Sequence, residues 1–223
     1  MTFKLFLEAI FKFLLGIVLV GCLVFIPAGT FDYFYGWLFM GVLFIPMFVA
    51  GIVMMIKNPK LLASRLDAKE KQKSQGVVIK LSGLMFIVGF VLAGLDFRFK
   101  WFVIPSFIPY IAAGIFLIGY VLWGVVLKQN TYLSRTIKVV EGQTVIDSGL
   151  YKVVRHPMYS ATILMFLAMP LILGSVIALS VFILYPVLIA FRTVEEEKLL
   201  SVELVGYEEY KKKVKYRIIP FIW

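Results

Sequence analysis

The sequence predicts an all-α integral membrane protein of about six transmembrane helices, the last two folded as a helical hairpin, with a cytoplasmic loop before the hairpin and a C-terminal helix after it. Three observations carry this. Of 223 residues, 61% are hydrophobic and only 16% charged, too apolar for a domain whose surface meets water. Several stretches free of Asp, Glu, Lys and Arg reach the roughly 20 residues needed to cross a bilayer. The basic residues between those stretches fall almost entirely on one side.

The uncharged stretches are Phe13 to Phe31, Tyr33 to Ile56, a shorter run from Leu81 to Leu95, Trp101 to Leu127, and Pro157 to Phe191. Backbone groups in lipid must be satisfied within the protein, and these lengths fit helices rather than barrel strands. The last stretch would extend about 52 Å as a single helix, well beyond one bilayer. Pro170, Gly174 and Ser175 near its middle predict a turn there, giving two legs. Charge agrees. Lys and Arg in short loops mark the cytoplasmic face, and with the hairpin only Arg98 and Lys100 of the 23 basic residues fall outside, beside Asp32 and Asp96, with both termini inside. The apolar amino end is expected to be retained as the first span rather than removed as a signal peptide. Lone Cys22 excludes an intrachain disulfide and is expected to pack within its span. Trp37, Trp101 and Trp123 are expected as interface anchors.

The two cytoplasmic segments differ. Residues 57–76 open with Asn58-Pro59 and continue with Leu61, Leu62 and Leu66 among charges, which predicts a short amphipathic stretch along the membrane surface. Residues 128–156 are polar, contain Gly142 and Gly149, and alternate around Thr144 to Ile146 in a way that favours extended structure. The division expected is 1–127 for the amino-terminal helices and 128–223 for the region bearing chemistry. The net charge of +10 flanks membrane spans, so anionic lipid is the expected partner and nucleic acid is not.

His156, the sole histidine, stands between Arg155 and Pro157 where the hairpin opens, with Tyr159 three residues on. Proline suits the first helical turn, and a helix start beside Arg155 offers an anion site. The blander alternative is a helix cap beside a topogenic arginine. One histidine without cysteines argues against a metal site. After the hairpin, Arg192 and Glu196 are four apart and could form an ordinary surface pair. Glu197 points to a different side, Glu195 is expected in solvent, and the tail reads as a helix with Leu200, Leu204 and Tyr207 on one stripe.

The run Gly149-Leu150-Tyr151-Lys152-Val153-Val154-Arg155-His156-Pro157-Met158-Tyr159 resembles the isoprenylcysteine carboxyl methyltransferase family and its phospholipid methyltransferase relatives. The tail is similar too, in Arg192, Glu196-Glu197, Leu200, Gly206-Tyr207, Tyr210 and Arg217-Ile218-Ile219-Pro220, so the resemblance covers roughly residues 120 to 223. It implies an integral membrane enzyme that uses S-adenosylmethionine to methylate a lipid-associated acceptor, an isoprenylcysteine-like or other lipidic carboxylate. By position, Gln143, Val145, Ile146, Gly149, Tyr151, His156, Tyr159 and Glu196 would hold the cofactor, while Arg192, Glu197 and Arg155 would serve the reacting centre. Many members have His where Gln143 stands and Pro where Leu150 stands. Two other enzyme readings share parts of the pattern: a phospholipid amine N-methyltransferase, and a membrane sterol-type reductase using NADPH, whose likeness is weaker across Glu195 to Tyr210. A transporter would call for charged residues at span centres and internal repeats, and the sequence displays neither.

Overall fold

Where the sequence is apolar over twenty residues, the backbone has no partner but itself and winds into helix. The computed structural model describes residues 3–67, 73–133, 136 and 139–223, except the side chains of residues 73 and 74. Its helices are α1 (Phe3–Ala28), α2 (Phe34–Lys57), α3 (Pro59–Leu66), α4 (Lys73–Phe99), α5 (Ile108–Gln129), α6 (Pro157–Ile172), α7 (Val176–Phe182), α8 (Leu184–Glu203) and α9 (Tyr207–Lys213). Among the described residues, five spans are long and apolar enough to cross a membrane: α1, α2, most of α4, α5, and the run Val176–Glu203 that joins α7 to α8. Side chains such as Leu7, Val18, Ile45 and Val121 stay exposed on the outside of the bundle, which suits lipid as the solvent. Cys22 belongs to this outward surface rather than to the packing between helices.

The hairpin forms where the breakers stand. Gly174 takes φ +76°, a left-handed conformation that glycine reaches without steric cost. Ser175 then caps α7, its hydroxyl accepting from the Ala178 amide at 3.1 Å. Pro170 lies inside α6 rather than at the break. Asp96, expected at the outer end of its span, is 2% exposed: its carboxylate accepts from the Ser175 hydroxyl at 2.6 Å and the Phe102 amide at 3.1 Å. One buried acid thus ties α4 to the hairpin turn.

The α6 leg is short. Its 16 residues extend about 24 Å, against about 33 Å for the 22 of α5. Gly119 sets the register between the two, since a Cβ there would lie 2.6 Å from Met165 Cγ and 3.2 Å from the Ala161 carbonyl. Lacking a side chain, it lets the helices close together, and α6 begins about one turn short of α5's basic end.

At that basic end the structure differs from expectation in four places. α4 starts at Lys73, so the short apolar run is the centre of a 27-residue helix whose charged first turns were read as loop. The Leu61 and Leu62 side chains of α3 are buried against protein, not spread on lipid; Leu61 shares a cluster with Val126, Tyr151, Met158, Leu204 and Tyr207. Among the described residues of 139–148 there is a turn, with the Gln143 amide donating to the Val140 carbonyl at 3.0 Å, but no strand pairing. The tail helix breaks after Glu203 and restarts past Gly206 at φ +86°, so Leu204 and Tyr207 reach one cluster through a bend. Lys69, Lys71, Arg135 and Lys138, counted among the basic loop residues, lie outside the described residues.

Candidate functional site

The start of α6 is held by the tail. The Arg155 amide donates to the Tyr216 carbonyl at 2.9 Å and the His156 amide to the Arg217 carbonyl at 2.8 Å, while the Ser160 hydroxyl donates to the Ile218 carbonyl at 2.5 Å. The two amides just before the helix are thus taken by the chain's own carbonyls, and in its first turn the Tyr159 and Ser160 amides turn back on the His156 carbonyl at 3.0 and 3.3 Å. The Arg155 side chain is likewise engaged: Nε donates to Glu197 at 2.6 Å, and one terminal nitrogen donates to the Val214 and Lys215 carbonyls at 2.7 and 2.9 Å. His156 occupies the N-cap position without capping. Its Nε2 lies 3.2 Å from Glu197 Oε1 and 3.4 Å from the Tyr207 hydroxyl.

Glu197 is the hub of this arrangement. It is 4% exposed, and besides Arg155 and His156 it accepts from Arg217 Nε at 2.8 Å. One buried carboxylate thus draws α6, α8 and the tail together through charge-assisted hydrogen bonds.

One turn away on α8 a second chain of contacts forms. Arg192 Nε donates to the Tyr159 hydroxyl at 3.0 Å, and that hydroxyl donates to Glu196. Arg192 and Glu196 therefore do not form the exposed i,i+4 pair read from spacing; a phenol stands between them. Glu195 keeps the solvated place expected, paired with exposed Lys198 at 2.6 Å. Arg192 also donates to Gln75 Oε1 at 3.2 Å, a residue of α4 that nothing in the sequence singled out.

These groups border a cavity of about 480 Å³, within the range of small-molecule sites. Gln143, Val145, Ile146, Tyr151, His156, Tyr159, Arg155, Arg192 and Glu196 all face it. Gly149 and Glu197 do not; they stand behind its wall. Gly149 adopts φ +59°, and a Cβ there would come within 2.1 Å of the Gln129 side chain, whose oxygen receives the Leu150 amide at 3.0 Å. Its part is to bring the loop against α5. The cavity has two characters. The loop and tail contribute most of the polar and aromatic groups, Asn130, Tyr132, Gln143, Tyr151, Tyr207 and Tyr210, together with Val145, Ile146 and Leu204; the spans contribute a mainly apolar part, Val78, Ile79, Phe86, Phe166, Tyr185 and Ile189, with Ser82 and Thr162 among them. Tyr159, Arg192 and Glu196 are the charged and hydrogen-bonding groups that sit on α6 and α8 beside both.

Tyr207 and Tyr210 also line the cavity, and two tyrosines one helical turn apart after a glycine are the signal in the sequence that marks them. The Tyr210 hydroxyl donates to the Tyr151 carbonyl at 2.7 Å and Asn130 donates to the Tyr151 hydroxyl at 3.1 Å. Burial, first among the causes, raises the phenols of Tyr151, Tyr207 and Tyr210 well above their ordinary value, with nearby Glu197 and Glu196 adding to the rise at Tyr207. All three are neutral hydrogen-bonding rings at physiological pH.

Residues 110–202, from α5 to the end of α8, match the family model described as the isoprenylcysteine carboxyl methyltransferase (ICMT) family. No curated protein matches the chain.

Proposed function

We propose that the chain, whose residues 110–202 match the isoprenylcysteine carboxyl methyltransferase family model, transfers a methyl group from S-adenosylmethionine to the carboxylate of a lipidic acid such as an isoprenylcysteine. The observation that carries this reading is the two-sided cavity with Arg192, Tyr159 and Glu196 beside both of its parts. A donor of mixed polar and cationic character suits the loop side, where neutral phenols, Asn130, Gln143 and the Glu196 carboxylate supply hydrogen bonds, and aromatic faces favour a cation. A hydrocarbon tail suits the other side.

The cofactor supplies an electrophilic methyl on a cationic sulfur, which keeps the bonding electron pair and becomes a neutral thioether as the carboxylate oxygen takes the methyl. The protein's tasks are alignment and exclusion of water. Arg192 holds the acceptor carboxylate; Tyr159 fixes the guanidinium through Nε and so sets its plane. Opposite charges are consumed together, so the dry apolar wall does not oppose the step. The acceptor is already ionised, and no general base is required. Arg155 and His156, which face the cavity, and Glu197 behind them hold the tail against the start of α6. The basic end is read as cytoplasmic, with both termini there.

Purified protein incubated with labelled S-adenosylmethionine and a membrane lipid extract should label a lipidic methyl ester; a methylated amine instead would refute the carboxylate assignment. Arg192→Ala should abolish transfer while calorimetry still detects S-adenosylmethionine binding. Equal loss of both would contradict the role given to Arg192.

A further inference from the structure

We infer that Gln75 is the second prong of the acceptor site: its side-chain amide nitrogen, next to Arg192, donates to the acceptor's carboxylate and makes the enzyme choose an acid over its neutral amide. This rests on the reading of Arg192 as the acceptor's anchor. Gln75 is fully buried, and its Oε1 receives Arg192 at 3.2 Å. That bond fixes the orientation of the amide, because a flipped amide would set two donors face to face. The other end, Nε2, is the one buried side-chain nitrogen or oxygen among the described residues that has no hydrogen-bond partner. Native proteins rarely leave such a donor unanswered, and a ligand is one of the standard answers. Its place in the fold is suitable. Gln75 itself lies just behind the lining, one turn before Val78 and Ile79, which line the cavity, and its partner Arg192 lines it as well, so the Arg192 guanidinium is its link to the cavity. A carboxylate has two oxygens with about four lone-pair sites, so one group can meet both Arg192 and Gln75. Gln75 lies outside residues 110–202, so the choice of acceptor is made partly by the amino-terminal half.

The test uses the whole protein in detergent, saturated with S-adenosylhomocysteine, and two probes: N-acetyl-S-farnesylcysteine and its carboxamide. Calorimetry should show wild type preferring the acid. Gln75→Met keeps the bulk and removes the donor, and should weaken acid binding about 10- to 100-fold, the range for a hydrogen bond to an ionised group, with little change for the carboxamide or for S-adenosylhomocysteine. Gln75→Glu keeps an acceptor for Arg192 but sets a negative charge where the donor was; it should lose the acid and retain the carboxamide. Should the Met variant not fold, the Glu variant decides alone. Wild-type affinity for the acid in either variant, or equal loss of acid and carboxamide, overturns the inference in favour of plain packing. If wild type neither binds nor methylates the acid, the parent reading fails, and the inference with it, whatever the variants do.

Discussion

Replacing Glu197 by Gln should open the tail without touching the cavity wall. The carboxylate is 5% exposed at its side chain and pairs with Arg155, itself 6% exposed. The amide keeps the shape but removes the charge that Arg155, His156 and Arg217 all face. Removing one member of a buried ion pair costs about 3–5 kcal/mol, because the partner charge remains buried. Arg217, a third exposed, adds little. The cost falls first on docking of residues 214–217, since Arg155 holds the Val214 and Lys215 carbonyls and Arg217 reaches back to Glu197. At about 1.4 kcal/mol per decade, the open population rises by roughly two to three and a half decades. Limited trypsin digestion at Lys211, Lys212, Lys213 and Lys215 reads this directly, because at low protease the cleavage rate follows the open population. Glu195→Gln, which loses only the exposed pair with Lys198, is the control and should leave cleavage unchanged. If Glu197→Gln is cut no faster than wild type, the hub argument is refuted. Lost methyl transfer with unchanged digestion would instead return Glu197 to the reacting centre.

Four further outcomes follow from named contacts. Tyr159→Phe removes the hydroxyl between Arg192 and Glu196 and should slow methyl transfer about 10- to 100-fold, at about 1.5–3 kcal/mol for a bond to a charged group, as measured on variant protein that circular dichroism shows to be folded. Gly149→Ala forces a left-handed alanine against Gln129 and should destabilise the fold by about 1–3 kcal/mol; adding Gln129→Ala should recover part of that, a coupling measurable in a double-mutant cycle. Asp96→Ala leaves the Ser175 hydroxyl and the Phe102 amide unanswered and should lower thermal stability while the cofactor's affinity stays at the wild-type level. Stability should fall as pH rises above 10.0, the ordinary value of the raised phenols Tyr151, Tyr207 and Tyr210: the unfolded chain releases those protons there and the folded one retains them, so unfolding is favoured by up to about 4 kcal/mol per pH unit for three groups, and Tyr207→Phe should lower that slope by about a third.

The helices and the hairpin were legible because lipid leaves a chain few choices. An uncharged run of twenty residues must be helical, and one of thirty-five must turn, here at Gly174 and Ser175. That His156, Tyr159, Arg192 and Glu196 border one cavity was expected from the resemblance alone, since local spacing does not bring residues 159 and 192 together. What the sequence concealed was the division of labour between neighbours. Glu196 and Glu197 are adjacent and identical in type, yet one faces the cavity and the other is locked behind it; that outcome depends on which arginine arrives from the tail, a long-range contact invisible to local pattern. The same holds for Arg155, whose charge serves the chain's own carbonyls. Gln75 gave no signal because a glutamine among lysines reads as a solvated surface. Leu61 and Leu62 were misread because amphipathic spacing identifies an apolar face without saying whether lipid or protein covers it.

The shortness of α6 gives these placements a common cause. Had α6 matched α5 in length, Tyr159 and the facing turn of α8 would stand about a turn farther toward the headgroups. Instead the polar groups sit where α8 still presents Phe191 outward at 65% exposure while Arg192, Thr193 and Glu197 turn inward, each buried. Charges at such depth are costly unless they face polar or charged protein groups, which is how Arg192, against Tyr159 and Gln75, and Glu197, against Arg155 and Arg217, are arranged here. The consequence is chemical. An acid attached to a hydrocarbon tail can present its carboxylate to Arg192 while the tail stays against Val78, Phe86 and Ile189, so the acceptor need not leave an apolar environment to react. On the function proposed above, the missing turn of α6 sets the depth at which a lipidic acid and a water-soluble donor would meet.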